Sequence, residues 1–173
     1  SMSLNAVNHR RVLHRMPELD DELPDTTAYV RKVLEPLGAE VFSPIKGSVC
    51  AYFDAGAEET VALRADMDAL PVTECTGLFF ASERPGRMHA CGHDVHGTIN
   101  VGAAKILSEM KDQFSGSIYF FIQPAEEILK GAKLFLNDPE IDFDQIDAVA
   151  ALHISAELDA GTIGVRYGAI LAS

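Results

Sequence analysis

Apolar positions along the chain fall into blocks of helical and strand period, and the two kinds alternate. Over residues 5–16, Val7, Val12, Leu13 and Met16 recur among basic and polar residues at the spacing of an amphipathic helix. Pro17 and the acidic run ending at Pro24 close it. Asp25 or Thr26 is placed to cap a second helix reaching about Leu37, with Gly38 as its stop. Blocks at 39–42, 48–54 and 60–65 are short, rich in Val and aromatics, and separated by Pro44, Gly47 and a turn at 56–59, so they read as strands. The third runs into Asp66-Met67-Asp68-Ala69-Leu70-Pro71, and from 72 to 87 the periodicity dissolves into a loop. Val95, Ile99, Ala103, Ile106, Leu107 and Met110 then predict a helix over 94–111 buried on one face.

The segment 116–122, GSIYFFI, is an almost unbroken apolar strand of the kind found inside a covered sheet. Pro124 ends it, and 126–137 reads as a further helix. Residues 147–152 predict another buried strand ending at His153, and 161–166 a last strand. Strands alternating with helices give a three-layer α/β fold with a largely parallel sheet.

Composition narrows this little. With 173 residues, 47% hydrophobic and 23% charged, the chain reads as an ordinary globular protein able to bury a core. A formal net charge of −12 argues against nucleic acid, since phosphate binding needs a positive surface. Cys50, Cys75 and Cys91 are scattered and odd in number, unlike a disulfide framework, so a reducing, cytoplasmic setting is expected. No apolar run approaches membrane-spanning length and the first residues lack the apolar core of a signal peptide, so no membrane partner is expected. Residues 1–4 read as an expression remnant and are set apart from 5–173.

Chemistry concentrates in the stretch 88–98, MHACGHDVHGT, which holds His89, Cys91, His93, Asp94 and His96. In an extended segment, side chains two apart share a side, so His89, Cys91 and His93 are placed to converge. A thiolate with neutral imidazoles suits a borderline-soft divalent cation such as zinc. Asp66 and Asp68, Glu126 and Glu127, and His153 likewise fall at predicted strand ends, the edge where open α/β sheets bind ligands. Adjacent Glu126 and Glu127 invite a division of labour, one holding metal and the other moving a proton. Each feature also has a plainer reading. The glutamates suit the first turn of a helix, the aspartates a turn, and His153 a satisfied core position. His9 and His14 read as surface residues, His96 as structural on the polar side of its helix, and Cys50 and Cys75 as ordinary thiols. Cys91 as a nucleophile is the rival chemistry, opposed by nearby carboxylates that would raise a thiol's pKa.

The ordered segments RRVLHRMPEL (10–19), LRADMDALPV (63–72), MHACGHDVHGT (88–98), QPAEE (123–127), DAVAALH (147–153) and GTIGVRYGAILAS (161–173) resemble the M20 metallopeptidase family. The similarity is to its amidohydrolase branch, which includes hippurate hydrolases, N-acyl-amino-acid deacylases and plant auxin-conjugate hydrolases. The resemblance implies a three-layer α/β/α zinc-peptidase-like catalytic domain with a two-metal centre. Cys91, His93, Glu127 and His153 would be ligands, with Cys91 as a candidate bridge. Glu126 would be the general base and Asp68 an orienting aspartate, while Asp66 stands where other branches carry a histidine ligand. Zinc suits such a shell, and manganese, cobalt or nickel also fits. The implied reaction is hydrolysis of the amide bond of N-acyl amino acids. A dipeptidase or aminopeptidase of the same superfamily, or a non-catalytic metal-binding or assembly module, are the alternatives. Members of the family are longer, continuing into a lid and dimerisation domain and then returning to complete the catalytic domain, and the returning part supplies a further histidine ligand. The chain is therefore expected to be truncated before that domain, with weak or no activity and incomplete metal occupancy by itself, and with homodimerisation a property of the longer form.

Overall fold

A computed structural model describes residues 2–56, 58–165, 167 and 168. Helix α1 (Met2–Arg15) begins inside the stretch expected to be a remnant. Helix α2 spans Pro24–Leu34 and is extended by a 3-10 turn at Glu35–Leu37, which stops at Gly38 in the left-handed region, φ 78°. The expected cap on α2 is not Asp25 or Thr26. The Glu18 carboxylate, from the preceding turn, accepts from Thr26 N at 2.8 Å and Asp25 N at 3.3 Å.

Strands β1 (Glu40–Phe42), β2 (Val49–Asp54) and β3 (Thr60–Asp66) form where the alternation places them. Helix α3 (His93–Glu109), strand β4 (Ser117–Gln123), helix α4 (Gly131–Leu136) and strand β5 (Ala148–Ala151) follow. The sheet order is β1-β2-β4-β3-β5. β2 pairs antiparallel with β1 and β4, whereas β3 pairs parallel with β4 and β5, so the sheet is mixed and its parallel half carries the candidate chemistry.

Alternation along β2 and β4 supplies a core on each face. Val49, Ala51, Phe53, Ile118, Phe120 and Ile122 pack with Leu13, Leu34, Val101 and Ala104 of α1, α2 and α3. Cys50 and Phe121 face the other way, against Phe135 of α4 and Ile141. Burying each large apolar side chain contributes roughly 1.5–3 kcal/mol, which makes the helix-covered face the main stabilising layer.

Three expectations fail at the far edge. Residues 126–137 are not one helix: α4 starts at Gly131, and 126–129 form a turn entered and left by Ala125 (φ 54°) and Leu129 (φ 56°). β5 forms as predicted but is exposed along its length, with Val149 60% accessible, because among the described residues only β3 pairs with it and no layer covers it. Apolar composition reports what a strand would bury, not whether a covering layer is present. Residues 161–165 form no strand, and Arg166 and 169–173 lie outside the described residues. Among the described residues, no helix is long and apolar enough to cross a membrane.

Candidate metal centre

The parallel register of β3 and β4 sets Asp66 opposite Gln123, and Met67 N donates to Gln123 O at 3.0 Å. The two strand ends thus deliver Asp66-Met67-Asp68 and Pro124-Ala125-Glu126-Glu127 side by side. Helix α3 comes down on them through Gly97, where an added Cβ would sit 1.9 Å from Met67 Sδ. That missing side chain lets the first turn of α3 lie directly over the aspartates.

His93, the first residue of α3, is buried at the centre. Its Nε2 lies 3.7 Å from Asp66 Oδ1, 3.7 Å from Glu127 Oε1 and 3.8 Å from Glu126 Oε2, and its Nδ1 lies 3.5 Å from Asp68 Oδ1. Neither ring nitrogen, nor Glu127 Oε1, has an aligned hydrogen-bond partner in spite of burial. Buried polar atoms left without partners are costly, and several converging on one point suit a group that binds them all. Burial alone would lower the His93 pKa, but Asp68, Asp66 and Glu127 outweigh it and raise the value.

Asp68 organises the glutamate turn. Its two carboxylate oxygens accept from Glu126 N and Glu127 N, each at 3.0 Å. The glutamates are therefore held by a buried carboxylate gripping their backbone, and the expected first-turn helix position does not exist.

Cys91 Sγ lies 3.4 Å from Nε2 of His153, whose Nδ1 bonds Ile154 O at 2.7 Å. Cys91, His93 and His153 each offer a ligand atom within 4.8 Å of the others, and so do His93, Glu126 and Glu127, with His93 common to both groups. His153 is exposed rather than a core histidine. Burial first, then Glu127, Glu126 and Asp66, push the Cys91 thiol up to about 12. A thiol so placed is a poor nucleophile by itself and becomes a thiolate only beside a balancing cation. The donor set of sulfur, imidazole and carboxylate, with its unpartnered buried atoms, fits borderline divalent metal ions.

A third group, Asp66, His93 and His96, also lies within 4.8 Å. There His96 Nδ1 bonds Asp66 Oδ1 at 2.6 Å and its Nε2 accepts Ile154 N at 3.0 Å, so both ring nitrogens are already engaged. Asp66 also holds Arg64 Nη1 at 2.7 Å. Burial raises Asp66, but His96, His93 and Arg64 more than reverse that and hold it at about 2. His96 is buried, not on a solvated helix face.

His89 does not join the cluster. Gly92 adopts φ 92° and caps α3, so the extended period of two breaks before His93 and leaves His89 in the wall behind, its ring 6.4 Å from that of His14. His14, expected at the surface, is buried: its Nδ1 bonds Asp94 Oδ2 at 2.8 Å, which also accepts from Arg10 Nε at 2.8 Å, and its Nε2 reaches Glu74 at 3.3 Å. Arg10 and His14 are four apart on α1, so helical spacing marks them as one face but names no partner. Cys50 is buried and Cys75 exposed, both free.

Residues 62–168 match the profile of peptidase family M20/M25/M40. The chain belongs to this family. The N-acetyl-L-cysteine deacetylase of Bacillus subtilis (strain 168) is 43% identical over 167 residues, which cover 95% of this chain and 39% of that protein. The N-acyl-L-amino acid amidohydrolase of Geobacillus stearothermophilus is 40% identical over 166 residues, 95% of this chain and 45% of that protein. The crystal structure of the Bacillus subtilis YXEP protein, described as a dinuclear metal binding peptidase from the M20 family, superposes with a TM-score of 0.90 at 37% identity over 95% of this chain and 46% of that one. The chain thus spans about two fifths of the length of the curated relatives it matches.

Proposed function

We propose that this M20 chain carries the metal centre of a hydrolase that cleaves the amide bond of N-acyl amino acids. The observation that supports it best is that His93 is shared by a Cys91–His153 group and a Glu126–Glu127 group, with both His93 ring nitrogens and Glu127 Oε1 buried and unpartnered, in a chain whose relatives are deacetylases and amidohydrolases. Cys91, His93, Glu127 and His153 would hold the metal. Two divalent ions, zinc by donor preference or else manganese, cobalt or nickel, would polarise the amide carbonyl and acidify water when bound.

The residues then divide the remaining work. Glu126, at 35% side-chain exposure against 20% for Glu127, is the carboxylate with freer access to substrate and water. It takes the proton from the attacking water, and as the C–N bond breaks it delivers that proton to the leaving nitrogen, giving a carboxylic acid and a free amino acid. Asp68 fixes both glutamates through their amides and faces Nδ1 of His93, which leaves Nε2 toward the metal side. Cys91 would serve as a thiolate ligand, its charge balanced by the cation. On this reading residues 5–173 are part of a catalytic domain, and the 173-residue chain alone holds metal incompletely and turns over weakly or not at all.

The test pairs metal content after dialysis with release of free amino acid from N-acetyl and N-benzoyl amino acids by the whole gene product that carries this chain. Glu126→Gln should keep the metal and lose turnover by about 100-fold or more, the scale of general-base catalysis. Turnover unchanged in that variant refutes the assigned base. Wild-type protein that holds no divalent metal refutes the centre itself.

A further inference from the structure

His153 is a proposed ligand on a stretch with little to hold it. β5 ends at Ala151, and residues 152–165 are exposed throughout. Among the described residues, two hydrogen bonds join 153–165 to the rest of the chain: the Cys91–His153 contact and Ile154 N to His96 Nε2 at 3.0 Å. The second leads into the core. His96 is buried on α3, its Nδ1 bonds Asp66 at 2.6 Å, and Asp66 is in turn held by Arg64 at 2.7 Å. Since Ile154 N donates to Nε2, the ring hydrogen sits on Nδ1 and points at the Asp66 carboxylate.

Two contacts reinforce the clamp. The His96 and His153 rings pack edge to face, with centroids 4.4 Å apart. The Ile154 side chain fills the space over Gly92, where a Cβ would stand 2.2 Å from Ile154 Cδ1. His153 Nδ1 is taken by Ile154 O, so whatever fixes Ile154 also aims Nε2 of His153 at Cys91.

We infer that His96 is a positioning residue: braced by Asp66, it grips the Ile154 amide and so places His153 beside Cys91 and His93. The inference rests on the metal-centre reading and assigns His96 to the frame of the centre. Residues that orient a ligand characteristically cost about 10- to 100-fold in metal affinity when removed.

Asparagine and glutamine at 96 separate the two bonds. The Asn amide nitrogen overlaps Nδ1 and keeps the donor to Asp66 but leaves Ile154 N bare, whereas the Gln amide reaches the Nε2 position and can accept from Ile154 N. Two readouts apply: hydrogen exchange at the Ile154 amide in metal-free protein, and Co(II) affinity followed by visible absorption. His96→Asn should raise Ile154 exchange about 10-fold and weaken Co(II) binding roughly 10- to 100-fold, with His96→Gln restoring much of both. Ile154→Pro deletes the donor from an exposed position, leaves the buried histidine intact, and should weaken Co(II) binding by a similar factor. Combined with His153→Ala, His96→Asn should cost no further affinity, because it acts through His153.

Wild-type Ile154 exchange and Co(II) affinity in His96→Asn overturn the inference, as do wild-type Co(II) affinity in Ile154→Pro or losses that add fully to those of His153→Ala. A wild-type protein that takes up no Co(II) overturns the metal-centre reading instead. The exchange contrast between the Asn and Gln variants then still decides whether His96 holds Ile154.

Discussion

Asp68→Asn tests whether one buried carboxylate holds the glutamate pair. The side chain is fully buried, accepts from Glu126 N and Glu127 N at 3.0 Å each, and lies 3.5 Å from His93 Nδ1. Asparagine keeps the shape but has one acceptor oxygen, so its amide nitrogen must face one of the two backbone donors. One hydrogen bond to a charged acceptor is lost, about 1.5–3 kcal/mol, and the other drops to the neutral scale of about 1 kcal/mol. Relief from burying a negative charge offsets part of this, leaving a net destabilisation of about 2–4 kcal/mol. With a urea m-value of about 2 kcal/mol/M, the unfolding midpoint should fall by roughly 1–2 M. Metal affinity should fall about 10- to 100-fold, since both glutamates lose their backbone anchor. Urea unfolding followed by circular dichroism and a metal titration measure the two effects. A variant with the wild-type midpoint and affinity would show that the turn at 126–129 holds itself, and the role given to Asp68 would be wrong.

Other outcomes follow from the same geometry. In chelator-treated protein at pH 8, iodoacetamide should label exposed Cys75 at least about 10-fold faster than Cys91, whose thiol burial and the Glu127 and Glu126 carboxylates hold up at about 12; peptide mass spectrometry reads the ratio, and equal labelling contradicts it. Burial lowers His89 to about 4, so the unfolded state binds the extra proton between pH 6.5 and 4 and this residue's contribution is present above pH 6.5 and lost as pH falls to about 4, up to about 3 kcal/mol. Asp94 raises His14, which acts in the opposite sense, present below 6.5 and lost as pH rises through its folded value. The check is therefore a difference: urea stability of His89→Phe should decline less than wild type from pH 7 to 4.5, and parallel declines would refute the assignment. Gly102→Ala places a methyl where nothing lies within 4 Å in the middle of α3, so it should raise stability by about 0.5–1 kcal/mol in the same urea assay.

Local order was legible wherever one face of an element decides its fate. The runs that became α1, β2, β3 and α3 carry their period in the sequence because each buries residues of one face against a layer that is present, and β4 reads as an unbroken apolar run because both its faces are covered. The residue types of the candidate centre were legible too, since sulfur, imidazole and carboxylate groups at strand ends announce their chemistry without reference to a partner.

What the sequence left open depended on partners distant in the chain. Glu18 caps α2 from outside it, Asp68 replaces a helix turn with its own carboxylate under Glu126 and Glu127, and His14 is drawn into the core by Asp94, eighty residues away. His89 fell out of the cluster because Gly92 turned left-handed where the helix begins. Periodicity measures a residue's side of its own element, whereas burial, protonation and ligand geometry depend on what the other side meets. Here the parallel register of β3 and β4 and the close seat of Gly97 on Met67 decided that, bringing chemistry spread from Asp66 to His153 to one point.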